Sequence, residues 1–249
     1  MFHTIAFSGS IASSTTALTN AAGVADPVLR VSGNYIYMPA LSQIMGYYAI
    51  GQYATQAQLR APSLRRFANI DVAPIDQAAA PASPYVFSQR LLSPIKLDPD
   101  EGLEALFTNT GGTGGVASLL VHLSDGPVAP VSGEMITVRF TATIPSGNYT
   151  WNNAAITLGQ TLPVGTYQCV GARTEGSNVI ATRFVPVGQV FRPGIIACTS
   201  AAIPDIDDQR YGRSGVLFEF NQLTPPTVDI FHVGASGTLT GYMDLIKKS

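Results

Sequence analysis

The second half of the chain repeats a period-two alternation of apolar and polar residues. In MITVRFTATI, every second residue from Ile136 to Ile144 is apolar, and threonines and Arg139 stand between them. Successive side chains of a β-strand point to opposite faces, so this pattern predicts a strand with one buried face. Seven more segments predict strands between turns rich in Gly, Pro and Asn: 153–158, 165–173, 178–187, 194–200, 215–220, 227–233 and 238–246. Eight short strands in about 115 residues predict a jelly roll.

The first half is less regular but is also dominated by strand patterns. The predicted strands are 4–9, 27–38, 83–91, 103–109 and 116–123. Between them, PALSQIMGYYAIGQY predicts a helix with Leu41, Ile44, Met45 and Tyr48 on one side, although its two glycines weaken this prediction.

A composition shift divides the chain into two halves of ordinary domain size. The stretch SDGPVAPVSGE holds two prolines and two glycines and predicts a linker. We therefore expect an all-β protein of two consecutive eight-stranded jelly-roll sandwiches with short inserted helices. The first jelly roll is expected at 1–126 with a helical insertion near 39–67, the linker at 127–133, and the second jelly roll at 134–249.

The glycine-rich loop TNTGGTGG at 108–115 is interpreted as a turn, not as a phosphate cradle. A phosphate-binding loop needs a lysine and a hydroxyl residue after its last glycine, whereas Val116 and Ala117 follow Gly115. The residues that follow alternate as a strand does. The second half closes in the same way, with an apolar strand, the turn GASGT at 234–238 and a final alternating strand. This similarity favours a duplicated β-domain, with TNTGGTGG as the last hairpin turn of the first copy.

The charge of the chain argues against nucleic-acid binding and for extensive protein contacts. Charged residues are 12% of the sequence, and the net charge is −2. Phosphate binding requires a basic face, and an isolated soluble domain usually carries more charge. The densest basic cluster, Arg60, Arg65 and Arg66, is interpreted as a solvated or subunit-contacting loop.

Residues that could support chemistry are few and scattered. His3, His122 and His232 lie far apart, and the last two fall in predicted strands, which favours structural histidines. Two acidic runs, Asp98 to Glu101 and Asp205 to Asp208, are interpreted as solvated turns, with calcium binding as the less favoured alternative. We therefore predict no catalytic residues, no cofactor-binding residues and no metal ligands.

The two cysteines, Cys169 and Cys198, are 29 residues apart and lack the spacing of a zinc site. The first residues lack the basic and apolar regions of a signal peptide, and no apolar run approaches the length of a membrane span. Buried free thiols in a protein made in a cytoplasm are therefore favoured over a disulfide.

Taken together, the sequence resembles the double jelly-roll major capsid proteins of tailless icosahedral viruses, which include membrane-containing bacteriophages. The resemblance is carried by GTYQCVGARTEGSNVIATRFVPVGQVFRPG, by GVLFEF and by the two matching terminal segments. It implies a structural virion protein without enzymatic activity, assembled in the host cytoplasm. It further implies homotrimers with a pseudo-hexagonal outline that contact neighbouring capsomers, minor or vertex proteins and an internal membrane, without specific nucleic-acid recognition. The alternative is a carbohydrate-binding or adhesive β-sandwich from a spike or tail.

Overall fold

The computed structural model describes residues 2–66, 69–76, 89–126, 131–198 and 215–248. In these ranges the regular structure is β-strand, apart from a 3-10 helix at Ser63–Arg66. The chain forms two compact units, the first being Thr4–Gly126 and the second Pro127–Ser249 together with Met1–His3. The expectation of an all-β fold is confirmed. Residues 127–130 of the expected linker lie outside the described residues.

All eight strands predicted in the second half are present. They are β12 (Met135–Ile144), β13 (Gly147–Leu158), β14 (Thr166–Glu175), β15 (Val179–Val185), β16 (Gly194–Cys198), β17 (Phe218–Asn221), β18 (Thr227–Gly234) and β19 (Gly237–Lys247). In β12 the buried face follows the alternation of the sequence, since Val138, Phe140, Ala142 and Ile144 are buried, whereas β15 and β18 are buried on both faces.

The strand order of the second unit is that of a jelly roll. One group pairs in the order β12-β19-β14-β17 and the other in the order β13-β18-β15-β16. Counted one to eight along the unit, these orders are 1-8-3-6 and 2-7-4-5, which is the double Greek-key arrangement. The two groups pack through aromatic rings, because Phe184 of β15 lies 5.8 Å from Phe140 and 5.0 Å from Phe218 between ring centroids.

The first unit contains eleven strands in the described residues. They are β1 (Phe2–Ile11), β2 (Thr15–Gly23), β3 (Arg30–Ser32), β4 (Tyr35–Met38), β5 (Gln43–Gly51), β6 (Ala54–Arg60), β7 (Ile70–Val72), β8 (Ile75–Asp76), β9 (Gln89–Lys96), β10 (Glu101–Asn109) and β11 (Gly115–Ser124). Part of the strand predicted at 83–91 lies outside the described residues.

Eight of these strands repeat the order of the second unit. The first group is β1-β11-β5-β9 and the second is β2-β10-β6-β7. The additional strands are the hairpin β3–β4, which extends the sheet at β10, and β8, which pairs in parallel with β5. The second unit has an equivalent parallel pairing between β14 and β16. Strand order thus supports the duplication inferred from the sequence.

A β-bulge is repeated at the same place in both units. In the first unit the β5–β11 register shifts so that Met45 has no partner between Ile44 and Gly46. In the second unit the β14–β19 register shifts so that Val170 has no partner before Gly171. Each bulge is followed by a glycine, which accommodates the close approach of the neighbouring strand.

Opposite each bulge glycine lies a polar residue that is bonded to a threonine of the first strand. His122 pairs with Gly46, and its Nδ1 lies 3.1 Å from Oγ1 of Thr4. In the second unit Asp244 occupies this position, and Oγ1 of Thr137 donates a hydrogen bond of 2.7 Å to it. Both units therefore have a polar contact at this position, which a histidine makes in the first unit and an aspartate makes in the second.

The prediction of a helical insertion near 39–67 is wrong. This segment forms β5 and β6, followed only by the one-turn 3-10 helix. Ile44 and Tyr47 to Ile50 are buried, so both faces of β5 are covered and the pattern loses the period of two. A Cβ at Gly51 would lie 2.9 Å from that of Ala117, a close approach that a strand pairing requires. Tertiary pairing thus overrides the helical spacing.

The strand expected at 27–38 is divided in two by a tight turn. Gly33 has a φ of 58°, a conformation that glycine adopts without steric cost. Ser32 and Tyr35 are paired, so the turn has two residues, as in common β-hairpins.

The loop TNTGGTGG is a turn, as expected, but not a hairpin turn. It connects β10 to β11, which pair with different strands and belong to the two different groups of the jelly roll. Gly111 accepts a hydrogen bond of 2.9 Å from the backbone N–H of Ser14, and its own N–H is bound by Asn109 Oδ1 at 2.8 Å. The turn between β18 and β19 crosses between the groups at the same place in the second unit.

Substitution of two glycines in this loop tests the packing of the turn. A Cβ at Gly115 would lie 2.2 Å from the carbonyl oxygen of Gln52, whereas nothing lies within 4 Å of a Cβ at Gly112. We expect Gly115→Ala to lower the free energy of unfolding by about 1–3 kcal/mol. Gly112→Ala should change it by less than about 0.5 kcal/mol. Urea unfolding followed by circular dichroism measures both, and equal losses would contradict the described packing.

Candidate functional site

The described histidines are held in structural contacts. His122 and Thr4 are 1% and 0% exposed, which places their hydrogen bond out of reach of a substrate. His3 accepts a hydrogen bond of 2.9 Å from the backbone N–H of Arg192. His232 is fully buried, and its Nε2 lies 3.4 Å from Nδ2 of Asn152.

The acidic run at Asp98 to Glu101 forms a self-bonded turn. Oε2 of Glu101 accepts a hydrogen bond of 2.9 Å from the backbone N–H of Asp98. The same carboxylate binds the N–H and the hydroxyl of Ser63. These hydrogen bonds hold the residues from Asp98 to Glu101 in a turn. The second acidic run, Asp205 to Asp208, lies outside the described residues. The residues that the structure describes contain no group of three metal-ligating side chains.

The predicted arginine cluster and cysteines are only partly described. Arg60 ends β6, while Arg65 and Arg66 lie in the 3-10 helix with side chains outside the described part. Cys169 is a free thiol, and burial raises the pKa of that thiol. Cys198 ends β16, and its side chain is likewise outside the described part.

The second unit buries an ion-pair cluster that sequence analysis missed. Nε of Arg183 lies 3.0 Å from Oδ2 of Asp229, and Nη1 of Arg192 lies 3.0 Å from the same oxygen. The other carboxylate oxygen accepts a hydrogen bond of 2.8 Å from Asn153. The Arg183 guanidinium also lies 4.3 Å from the ring centroid of Trp151. The cluster fixes the loop between β15 and β16, because Arg192 belongs to that loop.

The exposed apolar residues collect at one end of the second unit. Among the described residues, six of the seven large hydrophobic side chains that are exposed belong to this unit. We define the apolar end by these six, which are Met135, Ile136, Val164, Val187, Val190 and Leu223. Val164 and Leu223 are 80% and 81% exposed, whereas most of the aliphatic residues that the structure describes lie in the core.

Backbone pairing places these residues at the same end. Met135 begins β12 opposite Ile246, near the end of β19. The first residue of β14, Thr166, pairs with Asn221 at the end of β17. Val164 lies in the loop that leads into β14, and Leu223 lies in the loop that follows β17. The loop with Val187 and Val190 follows β15, whose last residue pairs with Thr227, and a side-chain cleft joins Val187 to Thr166 and Asn221.

Hydrogen bonds hold the loops of the apolar end together. The N–H of Gln222 donates a hydrogen bond of 3.2 Å to the carbonyl of Gly165, and the N–H of Gly165 donates one of 3.0 Å to the Gln222 side chain. Gln189 donates a hydrogen bond of 3.0 Å to the carbonyl of Glu219. The exposed aliphatic side chains therefore project from a fixed rim.

The charges around this rim are balanced. Nζ of Lys248 lies 3.1 Å from a carboxylate oxygen of Glu219. The hydrogen bonds from Gln168 and Lys248 lower the pKa of Glu219. Exposed Lys247 and Glu134 add one charge of each sign. The apolar end therefore has little net charge, which suits contact with protein.

Comparison with known proteins adds one distant likeness. No protein-family model and no curated protein sequence matches the chain. In the described part of the chain, no helix has the length and hydropathy needed to span a membrane. Among solved structures, the chain is similar to the major capsid protein P2 from Bacteriophage PM2, at 10% identity and a TM-score of 0.27, over 100% of this chain and 98% of that one. The jelly-roll assignment rests on the strand order.

Substitution of Asp229 tests the buried ion-pair cluster. Asp229→Asn removes the charge that faces Arg183 and Arg192, and we expect it to lower the free energy of unfolding by roughly 3–5 kcal/mol. The control is Glu219→Gln, which weakens an exposed ion pair and should cost less than about 1 kcal/mol. Urea unfolding measures both variants. A similar small effect in the two would show that the buried cluster does not stabilise the unit.

The pH dependence of stability tests the burial of His232. Burial lowers the pKa of His232 below its ordinary value of 6.5, so the unfolded chain binds this proton more readily than the folded chain does. The stabilisation is complete above about pH 6.5 and is lost as the pH falls through the folded pKa. We expect the Tm of wild type to fall more than that of His232→Gln between about pH 7 and pH 5. Parallel curves of Tm against pH for the two proteins would show that the burial of His232 does not affect stability.

Proposed function

We propose that the protein is a structural coat subunit, a major capsid protein that forms homotrimers in an icosahedral virion shell. The strand order supports this proposal, because two jelly rolls in one chain give three copies six similar units. Six such units around a threefold axis produce a nearly hexagonal outline that tiles a closed surface. The duplicated bulge and threonine contact show how closely the two units correspond.

The observation that carries the proposal is the apolar end. A monomeric soluble protein seldom exposes several large aliphatic side chains together, and such a patch usually marks an interaction surface. Here the side chains stand on a rim that hydrogen bonds hold in place, which reduces the entropy lost on binding. We infer that the apolar end contacts further copies of the chain.

The charge of the rim favours a protein partner over a lipid surface. Peripheral attachment to anionic lipid depends on an excess of lysine and arginine. At the apolar end, Lys247 and Lys248 are balanced by Glu134 and Glu219. Internal membrane lipid and minor capsid proteins are thus secondary partners in this proposal, and neighbouring capsomers are the primary ones.

A structural role is also supported by the positions of the ionisable side chains. His122 and His232 are buried in the strand framework, and the Asp229 carboxylate is occupied by two arginines and Asn153. General acid–base catalysis requires such groups to reach a bound substrate. We therefore expect the protein to act through its contacts and its shape, as a component of the virion.

Assembly of variants at the apolar end tests the proposal. Wild-type protein should sediment as a trimer or as larger shells, with hexagonal particles in negative-stain images. The double variant Val164→Asp/Leu223→Asp places two charges on the rim and should shift the protein to monomers or isolated trimers. Sedimentation velocity measures the distribution, and circular dichroism confirms that the fold is retained.

The matched control places the same charges at the other end of the second unit. Ser146 and Ser236 are exposed in the turns after β12 and β18, and Ser146→Asp/Ser236→Asp should assemble as wild type does. A wild-type chain that remains monomeric at all concentrations would overturn the proposal. Retention of assembly in the apolar-end variant, with loss of vesicle binding instead, would assign that end to lipid.

A further inference from the structure

A small cleft opens at the surface of the first unit, and the proposed coat function does not require it. It has a volume of about 180 Å³ and lies where the hairpin β3–β4 extends the sheet at β10. Its lining combines two tyrosines, a carboxylate and a guanidinium group. The lining residues are Tyr35, Tyr37, Arg60, Ala61, Pro62, Gly102 and Glu104.

The aromatic side of the cleft is built by the hairpin. Tyr35 and Tyr37 are two positions apart on β4, so both rings lie on the same face, with centroids 6.3 Å apart. Gly102 pairs with Tyr37, and a Cβ there would lie 3.2 Å from one ring and 3.4 Å from the other. The glycine therefore lets both rings lie across the backbone of β10. The guanidinium of Arg30 lies 3.7 Å from the Tyr37 ring centroid.

The polar side of the cleft contains two charged groups that face the same space without bonding. Glu104 and Arg60 are directly opposite on β10 and β6, yet they form no ion pair. Nε of Arg60 donates a hydrogen bond of 2.5 Å to Gln58, which leaves its other N–H groups for the cleft. Glu104 is only 7% exposed, and among the described residues its carboxylate has no hydrogen bond or ion pair.

The carboxylate oxygens of Glu104 are not among the buried side-chain atoms that lack a partner, so they open to the cleft, where a ligand can reach them. A bound molecule that donates to Glu104 and accepts from Arg60 would satisfy both groups at once. A vicinal pair of hydroxyl groups has this property. Among the lining residues the charges of Glu104 and Arg60 cancel, which favours a neutral ligand.

We propose that this cleft binds a single neutral sugar ring. Adjacent hydroxyl groups would bridge Glu104 and Arg60, while the C–H face of the ring packs on Tyr35, which is 40% exposed. Drug-sized ligands occupy pockets of about 300–1,000 Å³, so the smaller cleft suits one saccharide unit. The coat would then carry a glycan-recognition site on its first unit, separate from the apolar end.

Saturation-transfer NMR on the full chain tests this inference, with glucose, galactose, mannose, fucose and N-acetylglucosamine as probes. We expect at least one sugar to bind with a Kd in the millimolar range, about 1 mM. Glu104→Gln and Tyr35→Ala should each weaken binding at least roughly tenfold, because each removes one side of the site. Glu104→Gln keeps the size of the side chain, so the fold should be retained and thermal unfolding verifies this.

Two matched controls separate the cleft from nonspecific effects. Tyr242 of the second unit also lies beside an arginine, with the Arg173 guanidinium 4.3 Å from its ring, so Tyr242→Ala removes a similar aromatic contact elsewhere. Glu219→Gln removes an exposed carboxylate. Both should bind sugar as wild type does.

The outcomes distinguish the alternatives. Absence of binding to all five sugars at about ten times the expected Kd would overturn the proposal, and a bridging water would then explain the cleft. Sugar binding that survives both cleft substitutions would also overturn it. Displacement of the sugar by glycine betaine, a zwitterion, would also overturn the proposal, because the cleft would then recognise paired charges and not a sugar ring. Because binding is measured on the variants irrespective of assembly, failure here leaves the coat function untouched, and the reverse holds as well.

Discussion

The pairing of the first strand with the last strand of each unit is the constraint on which the structure depends. In the second unit, β12 and β19 pair continuously from Met135 opposite Ile246 to Ile144 opposite Gly237. This ladder joins residues about a hundred positions apart, so it can form only after a large loss of chain entropy. Once formed, it fixes which strand ends meet, and therefore which loops surround each end of the unit. The apolar end is a direct consequence of this pairing.

The two units share a framework but have diverged where function is proposed. Both keep the strand order, the bulge before a glycine and the threonine contact opposite it. The first unit adds the hairpin β3–β4, whose tyrosines form one wall of the cleft. The second unit instead exposes aliphatic residues on its rim and buries the Arg183–Asp229 pair. The two proposed sites therefore lie on different surface features of a shared strand framework.

The low charge of the chain has a structural explanation in the way the ionisable groups are used. Asp229 binds two arginines in the second unit, and Glu101 closes a turn through Ser63 and the Asp98 backbone. Few charged side chains remain on the rim, where they are nearly balanced. We infer that a surface with this composition is covered by contacts with other protein, because interfaces are depleted of charged residues.

The sequence by itself determined β12, because the alternation of MITVRFTATI leaves only one face to bury, and the turn residues between apolar segments indicated the other strands of the second half. It also indicated the duplication through the two glycine-rich closing turns, while it failed for the helix at Leu41 to Tyr48. That segment is covered on both faces, so burial removed the period by which a strand is recognised. The tertiary structure decided which strands pair, and with them the meeting of Glu104 with Arg60 and of Val164 with Leu223. Such contacts join residues far apart in the chain, and local pattern carries no information about partners at that distance.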